Sequence, residues 1–235
     1  MGSARRLSSR RILLVIAAMI PIGLLLIVAL VLSRPGWWIQ PAEVDPTEVE
    51  QASQFEQGIV SGFQRIRPDQ ESWAVRIRQE DVNAWLARRL PRWIDHDQQL
   101  QWPEGVGMPQ VSFQDGHVVV AATRRTLGMD VIIGASIEPS IVNGRLSLSW
   151  EDGFVGRLSI LVIKPTVLVP LIESAIGSLV SESDPAEFSD PIDPVIGLAD
   201  GRQVRIIDIE VVDGSMYVQC RTSRRPVEQD AGSSP

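Results

Sequence analysis

Few side chains in this chain are equipped for chemistry. There are two histidines and one cysteine. His96 sits in Asp95-His96-Asp97, which has the composition of half a metal site. No second His or Cys stands at useful spacing, so the sequence predicts a solvated loop there. His117 follows the turn Asp115-Gly116 and reads as a strand residue. Cys220 has no partner for an internal disulfide, and strand alternation sets it opposite Ile207 on an apolar face, as a buried inert thiol. The acids Asp184, Glu187, Asp190, Asp193 and Asp200 crowd residues 183–201 but lack the ordered spacing of a calcium loop. Asn83 stands at the edge of an apolar helix face, placed to cap or to hydrogen-bond a strand. Gly-x-Ser-x-Gly, a phosphate loop and a dinucleotide fingerprint are all missing. The expectation is therefore no catalytic residue, no metal and no cofactor. A cleft setting a histidine against a carboxylate and a hydroxyl would favour a hydrolase instead. Of the seven tryptophans, Trp73, Trp85, Trp93 and Trp102 cluster, as core packing or as an aromatic mouth to an apolar groove.

These residues have to be positioned by elements, and the first is apolar. Ile12 to Leu32 reads ILLVIAAMIPIGLLLIVALVL without a charge. As a helix it rises roughly 31 Å, the depth of a bilayer's hydrocarbon core. Arg5, Arg6, Arg10 and Arg11 precede it, and acids appear only beyond residue 42. The positive-inside rule predicts a cytoplasmic N-terminus and an extracytoplasmic remainder. The run is too long for a signal peptide, and Leu32-Ser33-Arg34-Pro35 is a poor cleavage site. The expectation is an uncleaved, single-pass anchor in a bacterial inner membrane, with Trp37 and Trp38 at the membrane interface. Five of the arginines lie at or before Arg34, so the outer part is more acidic than the net −7 of the chain. That disfavours nucleic acid as a partner.

The domain boundaries follow: a basic tail over 1–11, the transmembrane helix over 12–32, a linker over 33–44, an extracytoplasmic domain over 45–225 and a disordered tail over 226–235. Asp45-Pro46-Thr47-Glu48 opens a helix, and Arg67-Pro68-Asp69 closes it. Ser72 to Arg78 alternates as a half-buried strand. Gln79-Glu80-Asp81 opens a second helix, stopped at Pro91. Three X-Gly turns predict hairpins. Asp115-Gly116 pairs Phe113 with Val118 and Val111 with Val120. Asn143-Gly144 pairs Ile141 with Leu146, Pro139 with Leu148 and Ile137 with Trp150. Asp213-Gly214 pairs Val211 with Met216, Ile209 with Val218 and Ile207 with Cys220. Leu168, Leu171, Ile172, Ala175, Ile176, Leu179 and Val180 form a helical apolar stripe. The fold class expected is α+β: the transmembrane helix, then a curved antiparallel sheet of about seven or eight strands wrapped on that long apolar helix.

The order of anchor, helix, strand and Gln79-Glu80-Asp81-Val82-Asn83-Ala84-Trp85-Leu86 resembles the YpmS-like single-span envelope proteins. Asn143-Gly144-Arg145-Leu146-Ser147-Leu148 is similar to that family's hairpin, and Gly156-Arg157-Leu158-Ser159-Ile160 to its next element. The family is similar to tubular lipid-binding folds, in which a curved sheet and a helix enclose a lipid slot. The resemblance implies a lipid-handling role and carries over no catalytic residue. The function expected is a membrane-anchored, non-enzymatic module that binds an apolar ligand, a lipid. The expected lining is Leu168, Leu171, Ile172, Ala175 and Ile176 of the helix with Ile137, Leu148 and Trp150 of the sheet. The alternative is a structural or assembly protein of the cell envelope acting through protein partners.

Overall fold

A computed structural model describes residues 9–40, 45–96, 102–126, 128–159 and 192–224, with side chains from residue 19 onward. The apolar run is helical: α1 spans Ser9–Leu32 and includes Pro21. Its last turn is bonded into the domain. Leu30 O accepts from Arg157 N at 2.9 Å and from Ser33 Oγ at 2.8 Å. Gly156, at φ 62°, lies so close under the Leu30 and Val31 carbonyls that a Cβ would collide with them.

Among the described residues no helix is long and apolar enough to cross a membrane. The transmembrane helix expected over 12–32 is thereby overturned.

α2 (Pro46–Gln64) starts as its sequence predicts, with Asp45 accepting from Thr47 N at 2.8 Å as N-cap. β1 (Ser72–Arg78) runs directly into α3 (Gln79–Arg88). α4 (Leu90–His96) follows at once. Pro91, expected to stop a helix, instead stands in the first turn of a new one, where its missing N–H costs nothing. Then come β2 (Gln110–Gln114), β3 (His117–Thr126), β4 (Met129–Val142), β5 (Arg145–Val155), β6 (Leu158–Ser159), β7 (Val195–Gly197), β8 (Arg202–Val212) and β9 (Ser215–Arg224).

The strands form an antiparallel half-barrel of two sheets, ordered β1-β9-β8-β7 and β2-β3-β4-β5-β6. This corrects the expected single sheet of seven or eight strands. The long apolar helix that it was to wrap lies outside the described residues. The two sheets meet at their hairpin tips, where Gly116 N donates to Val211 O and Gly214 N to Phe113 O, both at 3.0 Å. Between them Val111, Phe113 and Val211 form a buried cluster, with Val82 and Leu86 of α3 packed on it. The described helix that covers this core is therefore the short α3.

The hairpin registers agree with those read from the sequence, with one exception. Cys220 pairs with Ile206, not Ile207, because β8 is irregular between Ile206 and Asp208. An extra residue in one strand shifts all pairing beyond it. Of the three turns, only Asn143-Gly144 is left-handed at both positions, with φ 53° and 74°.

Candidate functional site

One face of the five-stranded sheet carries two polar side chains, Ser136 and Asp152, in a row with Val119. Val119, Ser136 and Asp152 are aligned across β3, β4 and β5. Two residues along, Ala121, Gly134 and Phe154 form the next row, and Ser159 of β6 pairs with Phe154. The register of β4 on β5 shifts between Ile137↔Trp150 and Ser136↔Asp152, which leaves Glu151 as the extra residue of a bulge. Bulges re-aim side chains at rims and sites, and here the bulge delivers two adjacent carboxylates.

These residues line a cleft of about 530 Å³. Its wall on the α1 side is Pro35, Gly36 and Trp37, the segment that leaves the helix. The sheet contributes His117 and Val119 of β3, Ser136 of β4, Glu151, Asp152 and Phe154 of β5, and Arg157 and Ser159 also line it. Trp37 meets Phe154 edge-on, with ring centroids 6.4 Å apart. Gly134 is required beneath Phe154, because a Cβ there would strike the ring and also Ala121.

Two side-chain atoms of residues that line this cleft, His117 Nδ1 and Asp152 Oδ1, are themselves buried and have no hydrogen-bond partner among the described residues. The other carboxylate oxygen, Asp152 Oδ2, accepts from Ser159 Oγ. An unpaired buried polar atom costs about 1–3 kcal/mol, so folded proteins seldom leave two beside one cavity.

The cleft does bring a histidine, a carboxylate and a hydroxyl together, the combination that would favour a hydrolase. Their connections differ from those of a nucleophilic triad. In a nucleophilic triad the acid orients the histidine and the histidine takes the hydroxyl proton. Here Ser159 Oγ donates its hydrogen bond to Asp152 Oδ2, and among the described residues His117 Nδ1 has no hydrogen-bond partner.

The other singled-out residues have structural roles. Cys220 is fully buried, and burial pushes its thiol up to about 11, with the Arg67 charge opposing. It is not a thiolate near neutral pH. Asn83 and Gln79 pair with the open edge of β2. Asn83 Nδ2 donates to Val111 O at 2.9 Å, and Asn83 Oδ1 accepts from Val111 N at 2.8 Å. Gln79 Oε1 accepts from Phe113 N at 2.8 Å. His96 ends α4. Asp193 pairs with Arg205 at 2.8 Å and Asp200 with Arg202 at 2.7 Å. The tryptophans do not share a mouth. Trp73 sits against Phe63, with Arg67 over its ring at 3.7 Å. Trp85 and Trp93 pair at 6.3 Å, and Trp102 Nε1 donates to Val106 O at 2.7 Å.

Of the expected lining, Ile137, Leu148 and Trp150 are half-buried on β4 and β5, and none of them lines this cleft. Leu168, Leu171, Ile172, Ala175 and Ile176 lie outside the described residues. Of the expected membrane-interface pair, Trp37 lines the cleft, and Trp38 packs on it edge-on at 5.8 Å. Sequence reasoning missed Asp152, Glu151 and the cleft-facing role of His117. The one available signal was a carboxylate, Asp152, on a strand position between Trp150 and Phe154.

No protein family model matches the chain, and no curated protein matches it.

Proposed function

We propose that this protein is a non-enzymatic, membrane-associated module of the bacterial envelope that binds an amphipathic ligand, a lipid, on the extracytoplasmic side. The observation that carries this reading is the place of the cleft. It opens where the end of α1 meets the sheet, and α1 presents an exposed apolar surface: Met19, Ile20, Ile22, Leu24, Leu25 and Leu26 are each 59–68% exposed. A contiguous apolar surface of this kind needs an apolar phase or a partner to cover it. A ligand whose apolar part lies along α1 and whose polar part enters the cleft satisfies both features. Trp37, Phe154 and Val119 supply apolar wall beside the polar lining residues Ser136, Glu151 and Arg157, the usual make-up of a small-molecule site. The resemblance to YpmS-like envelope proteins points the same way.

The test uses the full-length chain, purified in mild detergent. Native mass spectrometry and extraction are expected to show a discrete added mass that matches a phospholipid, exchangeable for a labelled one. A clean unliganded mass with no exchange would end the lipid reading. It would favour the envelope assembly role, in which the exposed part of α1 meets another protein.

A further inference from the structure

Among the described residues, the outer side of β1 has no partner. The other edge strands are closed or short. Asn83 and Gln79 bond the edge of β2, and β6 and β7 are two and three residues long. β1 runs seven residues and pairs with β9 on one side only. At its two ends Glu71 O accepts from Thr222 N at 3.1 Å and Gln79 N donates to Gly214 O at 3.0 Å. Bonding alternates along an antiparallel pair, so the backbone groups of Trp73, Val75 and Ile77 face β9. Those of Ser72, Ala74 and Arg76 point outward. Charged side chains commonly blunt such an edge, but both charges of β1 are drawn back from it. Arg76 Nε and Nη2 donate to Ser215 Oγ of β9 at 3.2 and 3.0 Å, and its guanidinium lies 5.7 Å from the Tyr217 ring centre. Arg78 is held by Asp81 at 2.8 Å and by Glu80 at 3.4 Å.

We propose that this edge pairs with β1 of a second copy, antiparallel about a two-fold axis at Val75, joining the four-stranded sheets of the two copies into one. The strand is self-complementary about that residue. The axis sets Ala74 against Arg76 and Ser72 against Arg78, all with outward backbone groups, and Trp73 against Ile77 on the inner face. Each arginine thus meets a small residue of the other copy, so no like charges stand opposite. An axis at Arg76 would oppose two arginines. An axis between two residues would set inner-face side chains against outer-face ones. An axis at Ala74 would leave Ile77 and Arg78 outside the paired segment. A two-fold interface uses the same patch on both copies, and main-chain hydrogen bonds supply the affinity of an added strand.

The experiment measures the mass of the full-length chain in mild detergent by light scattering and native mass spectrometry over a range of concentrations. A dimer is expected. Ala74→Pro, at an exposed position, removes an outward N–H and leaves the β9 bonds in place, as Pro does on an edge strand. It is expected to give a monomer. Because that variant can also fail to fold, Val75→Cys supplies a second reading. Directly opposed residues without mutual bonds have Cα atoms about 4.5 Å apart, within disulfide range. Mild oxidation of Val75→Cys is expected to cross-link two copies. Ser72→Cys is expected not to, because the two Ser72 positions lie roughly 20 Å apart along the paired strands. A monomer at every concentration, a dimer that persists in folded Ala74→Pro, or cross-linking of Ser72→Cys in place of Val75→Cys would overturn the proposal. Amide exchange tests for another occupant. Protection of Ala74 and Arg76 that grows with protein concentration supports a second copy. Protection independent of concentration would assign the edge to another segment of the same chain and overturn the pairing.

Discussion

Asn83 shows how one side chain can replace a neighbouring strand. An edge strand presents unpaired N–H and C=O groups, and β2 is the outer strand of its sheet. Gln79 and Asn83, four apart on α3, share a helix face. They meet Phe113 and Val111, two apart on β2. The amide of Asn83 carries both a donor and an acceptor, so one residue satisfies both backbone groups of Val111. Asn83→Ala is expected to lower unfolding free energy by about 1–3 kcal/mol, read from urea midpoints. An Asn83→Ala protein as stable as the parent would show that water replaces the amide. Arg202 acts similarly at the end of α2, donating to Arg65 O at 2.8 Å and to Gln64 O at 2.9 Å. These are carbonyls that the helix itself leaves unpaired. Arg202→Lys keeps the charge but not the planar fork, and a destabilisation of about 1–2 kcal/mol is expected. Buried Cys220, its thiol pushed up to about 11, should react with a thiol reagent only as fast as the protein unfolds. Labelling at the rate of a free thiol under native conditions would contradict that burial. The sequence announced the polar edge role of Asn83 as one of two options, and the contact with β2 settles it.

At the level of elements, α2 is linked to α3 by ion pairs and a hydrogen bond. Arg88 reaches Glu48 at 2.6 Å and Arg89 reaches Glu56 at 2.5 Å, and Gln51 Nε2 donates to Asp81 Oδ1 at 2.8 Å. The Arg89 hydrogen bond holds the Glu56 carboxyl below its ordinary value of 4.5, with burial opposing. A carboxyl lowered in the folded state binds fewer protons there than in the unfolded chain. Its contribution is present above pH 4.5 and is lost as pH falls through the lowered folded value. Stability should therefore decline on acidification below about pH 4.5, and Glu56→Gln should flatten that decline. An unchanged acid limb in the variant would assign the loss to other groups. The hairpins were legible because turn chemistry and alternation are local: Asn143-Gly144 adopts the two left-handed positions that its residue types favour. The bulges at Glu151 and Ile207 were not legible. A bulge shifts the facing by one residue, so that Trp150 and Asp152, two apart, lie on opposite faces where strict alternation would put them on one.

At the scale of the molecule, distant parts of the chain complete each other. β1 pairs along its whole length with β9, Ser72 with Arg221 through Arg78 with Ser215. Gln79 N, at the start of α3, donates to Gly214 O at 3.0 Å. The turn of one sheet's hairpin is bonded to a strand of the other in both directions. A chain ending before Arg202 loses β8 and β9, so β1 keeps no strand partner and the core cluster loses Val211. Such a truncation is expected to abolish cooperative unfolding in a thermal scan. A sharp transition in the truncated chain would show that the five-stranded sheet folds by itself.

The sequence by itself determined the starts of α2 and α3, the strand β1, the three hairpin registers up to the irregularity at Ile207, and the inert character of Cys220. Each follows from periodicity or from residues a few positions apart. Only the tertiary structure divided the strands between two sheets and assigned α3 to the core. Only it set His117, Asp152, Arg157 and Trp37 around one cleft. These residues are spread over 120 positions of chain, and they belong to α1's exit, β3, β5 and the turn before β6. Alternation says that a residue points to one face or the other of its strand. Which face is covered by α1, and whether a carboxylate there finds a partner, depends on how the elements pack, and no local pattern carries that information.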